Sequence, residues 1–148
     1  MKNKILIITA NYYKSISKSL YECAKKTLSK ESIHKVKCNI IEVPGIFEIP
    51  VIISKNINKY DAFVALGCVI KGETPHFDYI SKTTFDAIMK LSIDFKKPIG
   101  NGIITALNIK QAKARSSAGK NKGRESTRAV LSILGNLKNE WKCCHSKS

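Results

Sequence analysis

Lys71-Gly72-Glu73-Thr74-Pro75-His76 brings together the residue types that handle an anion and a proton at one place. Gly72 lets the backbone come close to a ligand. The amides of Glu73 and Thr74 would face that ligand, with the Thr74 hydroxyl as a further donor. The Glu73 carboxylate must point away, because two anions side by side repel. Thr74 as a cap and Pro75 at the first helical position predict a helix start here, and free N–H groups at such a start favour negative charge. His76, just inside, exchanges protons near neutral pH. An anion cradle and an acid–base group then lie within about one helical turn of each other. By composition alone a His at a helix start is more often a surface or capping residue, so the surrounding elements must decide.

Those elements alternate. Lys4 to Thr9 is an apolar strand, and Ser15 to Ser32 an amphipathic helix facing Leu20, Cys23, Ala24 and Leu28 inward. Val36 to Val43 is a strand stopped by Pro44-Gly45. Phe47 to Ile57 is a short Ile-rich helix with Pro50 in its first turn. Ala62 to Ile70 is an apolar run of the kind buried on both faces. Phe77, Ile80, Thr84, Ile88, Leu91 and Phe95 recur at helical spacing, and Ile99 to Thr105 is a fourth strand. A last helix carries Val130, Ile133, Leu134, Leu137 and Trp141 on one face, followed by a polar tail. Alternation of this kind calls for a parallel sheet with helices on both faces, joined by right-handed crossovers. The expected fold is a single-domain α/β, flavodoxin-like three-layer sandwich over residues 1–148, its four strands in the order 2-1-3-4. Ligands of such sheets bind outside the carboxyl ends of the strands, where the loop at 71–76 falls.

Composition excludes more than it assigns. The chain has 148 residues, enough for one core, and 43% hydrophobic residues, too many for a disordered chain. No apolar run approaches the ~20 residues of a membrane span, and the amino terminus lacks the pattern of a signal peptide. Cys23, Cys38, Cys68, Cys143 and Cys144 are odd in number and without metal spacing, as expected of reduced cytoplasmic thiols. His34, His76 and His145 are scattered, so no metal site is expected. The net charge of +15 raises anion on-rates and non-specific nucleic-acid affinity. With lysine in excess beside many Ile and Asn, it reads as a composition bias, and neither nucleic acid nor membrane is expected as a partner. Gly100-Asn-Gly102 lacks a third glycine and lies in a strand, and Ala118-Gly-Lys-Asn-Lys-Gly has no Ser or Thr after its lysine. Neither is a nucleotide fingerprint.

Gly67-Cys-Val-Ile-Lys-Gly-Glu-Thr-Pro-His-Phe-Asp-Tyr79 resembles the signature loop of the 6,7-dimethyl-8-ribityllumazine synthase family, which carries out the penultimate step of riboflavin synthesis. Val43-Pro-Gly-Ile-Phe-Glu-Ile-Pro50, Pro98-Ile-Gly-Asn-Gly-Ile-Ile-Thr105, and Ala114-Arg115 followed by Asn121-Lys-Gly123 match in the same order. The resemblance runs from about Lys4 to Leu137.

The resemblance implies a cofactor-free condensation of 5-amino-6-(D-ribitylamino)uracil with 3,4-dihydroxy-2-butanone 4-phosphate. It assigns the phosphate to Glu73 and Thr74, with Arg115 forking onto it from a neighbouring subunit; the stretch from Lys110 to Arg128 is basic overall, so that Lys120 or Lys122 could assist. Tyr12 takes the position of the ring that stacks on the pyrimidine, while Asn11 and Tyr13 beside it depart from the family pattern. Ile46, Phe47 and Glu48 hold ribityl hydroxyls, although core packing is an ordinary use for Phe47. The main chain of Cys68, Val69 and Ile70 reads the uracil edge, and Asn101, where Phe is frequent, comes from the adjacent subunit. Cys68 is not expected to be a nucleophile. His76 is the catalytic proton shuttle. The alternatives are a flavodoxin-like flavin or ligand carrier without catalysis, and a basic RNA-associated domain. Family members form homopentamers, and some pack pentamers into an icosahedral 60-mer. With only three residues before the first strand, a free pentamer is the expectation.

Overall fold

The computed structural model of the chain describes residues 2–138. The four apolar runs are strands: β1 (Lys4–Ala10), β2 (Lys37–Val43), β3 (Ala62–Ile70) and β4 (Ile99–Ala106). They form one all-parallel sheet of order β2-β1-β3-β4, as the alternation of elements predicts. The helices are α1 (Lys14–Glu31), α2 (Ile49–Asn56), α3 (His76–Phe95), α4 (Ile109–Ser116) and α5 (Lys122–Ile133).

Because side chains alternate along a strand, each strand feeds two cores. Ile5, Ile7, Val64, Leu66 and Ile104 pack with Leu20, Ala24 and Leu28 of α1, Ala112 of α4 and Leu131 of α5. Leu6, Ile8, Phe63, Ala65 and Ile103 pack on the other face with Ile49 and Ile53 of α2 and Ile88 of α3. The result is three layers. Small residues seat α5 tightly: a Cβ on Gly100 would lie 2.5 Å from Ser126 O, and one on Gly123 would lie 2.3 Å from Leu20 O.

Three elements differ from their sequence readings. The span expected as one helix from Phe47 is a 3₁₀ turn, Ile46–Glu48, running into α2, with Pro50 in the first turn of α2, where its missing N–H costs no helical bond. The last helix stops at Ile133, so its expected apolar face does not continue. Gly135 takes the left-handed φ of 68°, and Asn136 N and Gly135 N donate to Leu131 O (2.8 Å) and Ser132 O (3.1 Å). Those bonds close the helix in the usual glycine-terminated manner. Ile133 is exposed, and Leu137 is buried through a bridge to Ser32 instead. Trp141 and the tail with Cys143, Cys144 and His145 lie outside the described residues. Finally, α4 was not anticipated. Its signal is Asn108, whose Oδ1 accepts from Gln111 N at 2.9 Å, with Gln111 Oε1 accepting from Leu107 N at 2.8 Å.

Candidate active site

The β3–α3 junction is built as the sequence requires, with one correction. Thr74 does not cap α3. The carbonyl of Pro75 accepts the first helical bonds, from Asp78 N (3.1 Å) and Tyr79 N (3.3 Å), so Pro75 itself holds the capping position and His76 is the first helical residue. The helix therefore starts one residue later, and the Thr74 hydroxyl makes no capping bond. Gly72, Glu73, Thr74 and His76 are all exposed. A Cβ on Gly72 would meet nothing within 4 Å, and its φ is not left-handed, so nothing inside the chain requires glycine there. Close approach by something outside the chain is what a glycine at this point permits.

Beside this loop lies a crevice created by unequal strand lengths. The pairing of β1 with β3 ends at Thr9↔Leu66, whereas β3 stays paired with β4 as far as Ile70↔Ala106. From Gly67 to Ile70 the strand has a neighbour on one side only. Lys71 N donates to Ala106 O at 2.9 Å, and successive residues of a strand turn their peptide groups to opposite edges. Cys68 and Ile70 therefore present theirs to the side where β1 has ended, and Val69 presents its own to β4. Of the three, two can read a ligand edge by main chain.

Tyr12 stands on the turn that follows β1, at the same end of the sheet, and is 75% exposed, with its ring edge-to-face against Tyr13 at 4.9 Å. The turn Ile46–Glu48 closes the other side. The Ile46 side chain is buried and sits so close that a Cβ on Gly67 would be 2.9 Å from it. Phe47 is 60% exposed, which core packing does not explain, and Glu48 is partly buried. Burial pushes the Cys68 thiol up to about 11, so near neutrality it is protonated and a poor nucleophile.

Asn101 and Arg115 lie elsewhere, at the open edge of β4. Ala106 O faces β3, so Thr105 O faces outward, and Arg115 Nη1 donates to it at 2.6 Å. Asn101 Oδ1 accepts from Ile103 N, on the same edge, at 3.2 Å. Both side chains thus plug main-chain groups that an edge strand leaves bare. They line a cleft of about 1000 Å³. Lys120 and Lys122 line it too, Lys122 with its ammonium 3.4 Å from Glu125. In a single chain, then, the sequence-assigned residues fall into two groups: Tyr12, the 46–48 turn, Cys68 to Ile70, Glu73, Thr74 and His76 around the crevice, and Asn101 with Arg115 on the β4 edge.

The model of the family described as 6,7-dimethyl-8-ribityllumazine synthase matches residues 2–138. The chain belongs to that family. Among proteins carrying the lumazine synthase name, it is 36% identical over 141 residues to one from Ruthia magnifica subsp. Calyptogena magnifica, covering 90% of this chain and 84% of the relative. It is 38% identical over 142 residues to one from Campylobacter curvus, covering 93% and 90%. It is 42% identical over 136 residues to one from Bartonella bacilliformis, covering 88% and 87%. The lumazine synthase match spans every element described above, so both groups of residues lie inside it.

The geometry adds residues that motif reading passed over. Phe85 of α3 and Arg124 and Arg128 of α5 line the β4-edge cleft with Arg115. Arg124 Nη2 donates to Gly119 O at 3.1 Å, and Arg128 lies 3.2 Å from Glu31 Oε1. That last contact is an ion pair without hydrogen-bond alignment, since Arg128 Nε has no bonded partner among the described residues. Only the helical spacing of α5, which puts residues 124 and 128 on one face, could have grouped them in advance.

Proposed function

We propose that this chain condenses 5-amino-6-(D-ribitylamino)uracil with 3,4-dihydroxy-2-butanone 4-phosphate to 6,7-dimethyl-8-ribityllumazine, the penultimate step of riboflavin synthesis. Membership of the lumazine synthase family along the whole described chain carries this reading, together with an anion cradle and an imidazole side by side at the end of β3. In the reaction the uracil's 5-amino group attacks the ketone and water leaves, giving an imine. Loss of phosphate and a tautomeric shift generate a second carbonyl. The ribityl-bearing nitrogen closes the ring on it with loss of a further water. Atoms and electrons balance without an outside oxidant or reductant, so no cofactor enters.

Each residue has a task in this scheme. The amides of Glu73 and Thr74, and the Thr74 hydroxyl left uncommitted by the late helix start, hold the phosphate. Arg115 of a second copy supplies the counter-charge, its planar fork suiting phosphate better than an ammonium. The Tyr12 ring stacks on the pyrimidine, with the main chain of Cys68 and Ile70 along its edge and Val69 beside them. Ile46 by its main chain, Phe47 and Glu48 bind the ribityl tail, joined by Asn101 of the second copy. His76 moves protons between the attacking amine, the departing water and the closing ring. Holding two substrates in one crevice supplies much of the remaining acceleration.

A second copy is needed because the two groups of residues face different ways in one chain. The second copy also has a surface to cover. Phe47, Val51, Tyr79, Met89, Ile93 and Phe95 leave the α2–α3 layer with large exposed apolar side chains, a pattern that marks protein contact. The assembly we propose is a homopentamer working in the cytoplasm. No helix of the described residues is long and apolar enough to cross a membrane. Mixing purified protein with both substrates tests the function. Lumazine fluorescence appearing with an equal release of phosphate supports it. A sample that binds a flavin or lumazine but forms none contradicts it.

A further inference from the structure

The geometry points to Tyr13 as the residue that sets the Tyr12 ring over the crevice, acting through ring-edge contact rather than by touching the ligand. This inference rests on the stacking role proposed for Tyr12. Tyr12 stands on the short turn between β1 and α1, 75% exposed, and a ring so placed is free to swing. Tyr13 is what restrains it. The two ring centroids are 4.9 Å apart at 74°, the edge-to-face arrangement that aromatic quadrupoles prefer. Tyr13 is itself anchored, half-buried against the core between the sheet and α1. Its phenol is raised from the ordinary value first by that burial, then by Tyr12 and Cys68 nearby.

The turn is fixed from both ends. Tyr13 O accepts from Ser17 N at 2.9 Å, and the Ser17 hydroxyl donates to Ala10 O, tying the start of α1 to the last residue of β1. Tyr13 also sits where a helix prefers Ser, Thr, Asp or Asn. It occupies the capping position of α1 and makes no side-chain cap bond, and the first turn holds no acidic residue. The start of α1 therefore gains packing but no cap from this side chain, whereas Tyr12 gains a fixed orientation before substrate arrives. Orientation set in advance lowers the entropy lost on binding.

Steady-state kinetics on the assembled full chain test this, with Tyr13→Phe, Tyr13→Asn, Tyr12→Ala and the Tyr12→Ala/Tyr13→Asn pair, each checked for its melting temperature. Asn is a favoured helix cap, which offsets the packing lost with the half-buried Tyr13 ring; Tyr13→Leu, which keeps apolar bulk, is the second variant should Tyr13→Asn not fold. The inference expects Tyr13→Asn to raise KM for the pyrimidine about three- to ten-fold, with KM for the ketone phosphate unchanged. Tyr13→Phe should behave as the parent, and the double variant should be no worse than Tyr12→Ala. Equal losses in Tyr13→Phe and Tyr13→Asn would instead make the hydroxyl a ligand contact and overturn the inference, as would additive losses in the double variant. An unchanged KM in Tyr13→Asn beside a raised one in Tyr12→Ala would overturn it while leaving the stacking role intact. An unchanged KM in Tyr12→Ala would remove the stacking role and this inference with it.

Discussion

The crevice at the end of β3 and the edge of β4 differ in how far their side chains are already committed to partners within the chain. Around the crevice, Glu73, Thr74 and His76 are exposed, Tyr12 leans on Tyr13, and Gly72 faces open space. On the β4 edge, Asn101 and Arg115 already hold main-chain partners, Ile103 N and Thr105 O. The first region leaves its polar side chains uncommitted. The second is charge and amide already at work keeping an exposed strand from pairing with another chain. A guanidinium has five N–H donors, so Arg115 can keep Thr105 O and still offer a fork edge to phosphate. On the function proposed above, the contrast reads as two halves of one site, the crevice to take substrate and the β4 edge to be offered to a neighbouring copy.

Variants can break or sharpen this contrast. The largest effect is expected in the crevice, where His76→Ala should lower kcat by roughly 10²-fold and leave measurable activity, because positioning of the two substrates survives. Stopped-flow detection of lumazine checks this; wild-type turnover would take the proton role from His76. Next comes Arg115→Ala, expected to lower kcat/KM for the ketone phosphate about 10- to 100-fold, the worth of a charged hydrogen bond. Arg115→Lys should recover only part of it. An effect confined to KM for the pyrimidine would place Arg115 on the wrong substrate.

Asn101→Ala should cost about 0.5 kcal/mol of stability in denaturant unfolding, the low end for a single part-buried hydrogen bond, here from Ile103 N. It should also raise KM for the pyrimidine less than Tyr12→Ala does. A larger effect than that of Tyr12→Ala would reverse the ranking of the two halves. The smallest effect is alkaline. Burial raises the Cys68 thiol from 9.0 to about 11, and it raises Cys38 and Tyr13 in the same direction. The folded chain thus binds these protons more tightly than the unfolded one. Stability should be fully present below pH 9 and fall as the pH climbs from there towards 11. Cys68→Ala should flatten part of that fall, and an unchanged profile would mean the crevice floor is wetter than the structure shows.

Most of the architecture was legible because buried strands and amphipathic helices announce themselves by period. The run from Ala62 to Cys68 is buried throughout, and strand–helix alternation with right-handed crossovers left few sheet orders, among them the observed β2-β1-β3-β4. The short, basic α4 was not legible by period, since only Ala112 and Ser116 of its eight residues are buried. Its capping residues, Asn108 and Gln111, were the better signal. Thr74 was misplaced by one residue because a Thr-Pro pair looks like cap and first turn, whereas the Pro75 carbonyl opens the helix. The place of the 71–76 loop at the end of β3 could be read because the strand before it and the helix after it are both evident from residue type and period. The main-chain bonds of Asn101 and Arg115 could not, for they depend on which strand ends the sheet and which of its alternating peptide groups face outward.

Subunit mixing tests the shared site most directly. His76→Ala and Arg115→Ala proteins, each assayed alone, would be dissociated, combined in equal amounts and allowed to reassemble. If each site joins the crevice of one copy to the β4 edge of the next, about a quarter of the sites in random mixed rings carry both native halves. The mixture should then turn over well above the average of its two parents. Activity equal to that average would contradict the account, because it would mean that each chain completes its own site.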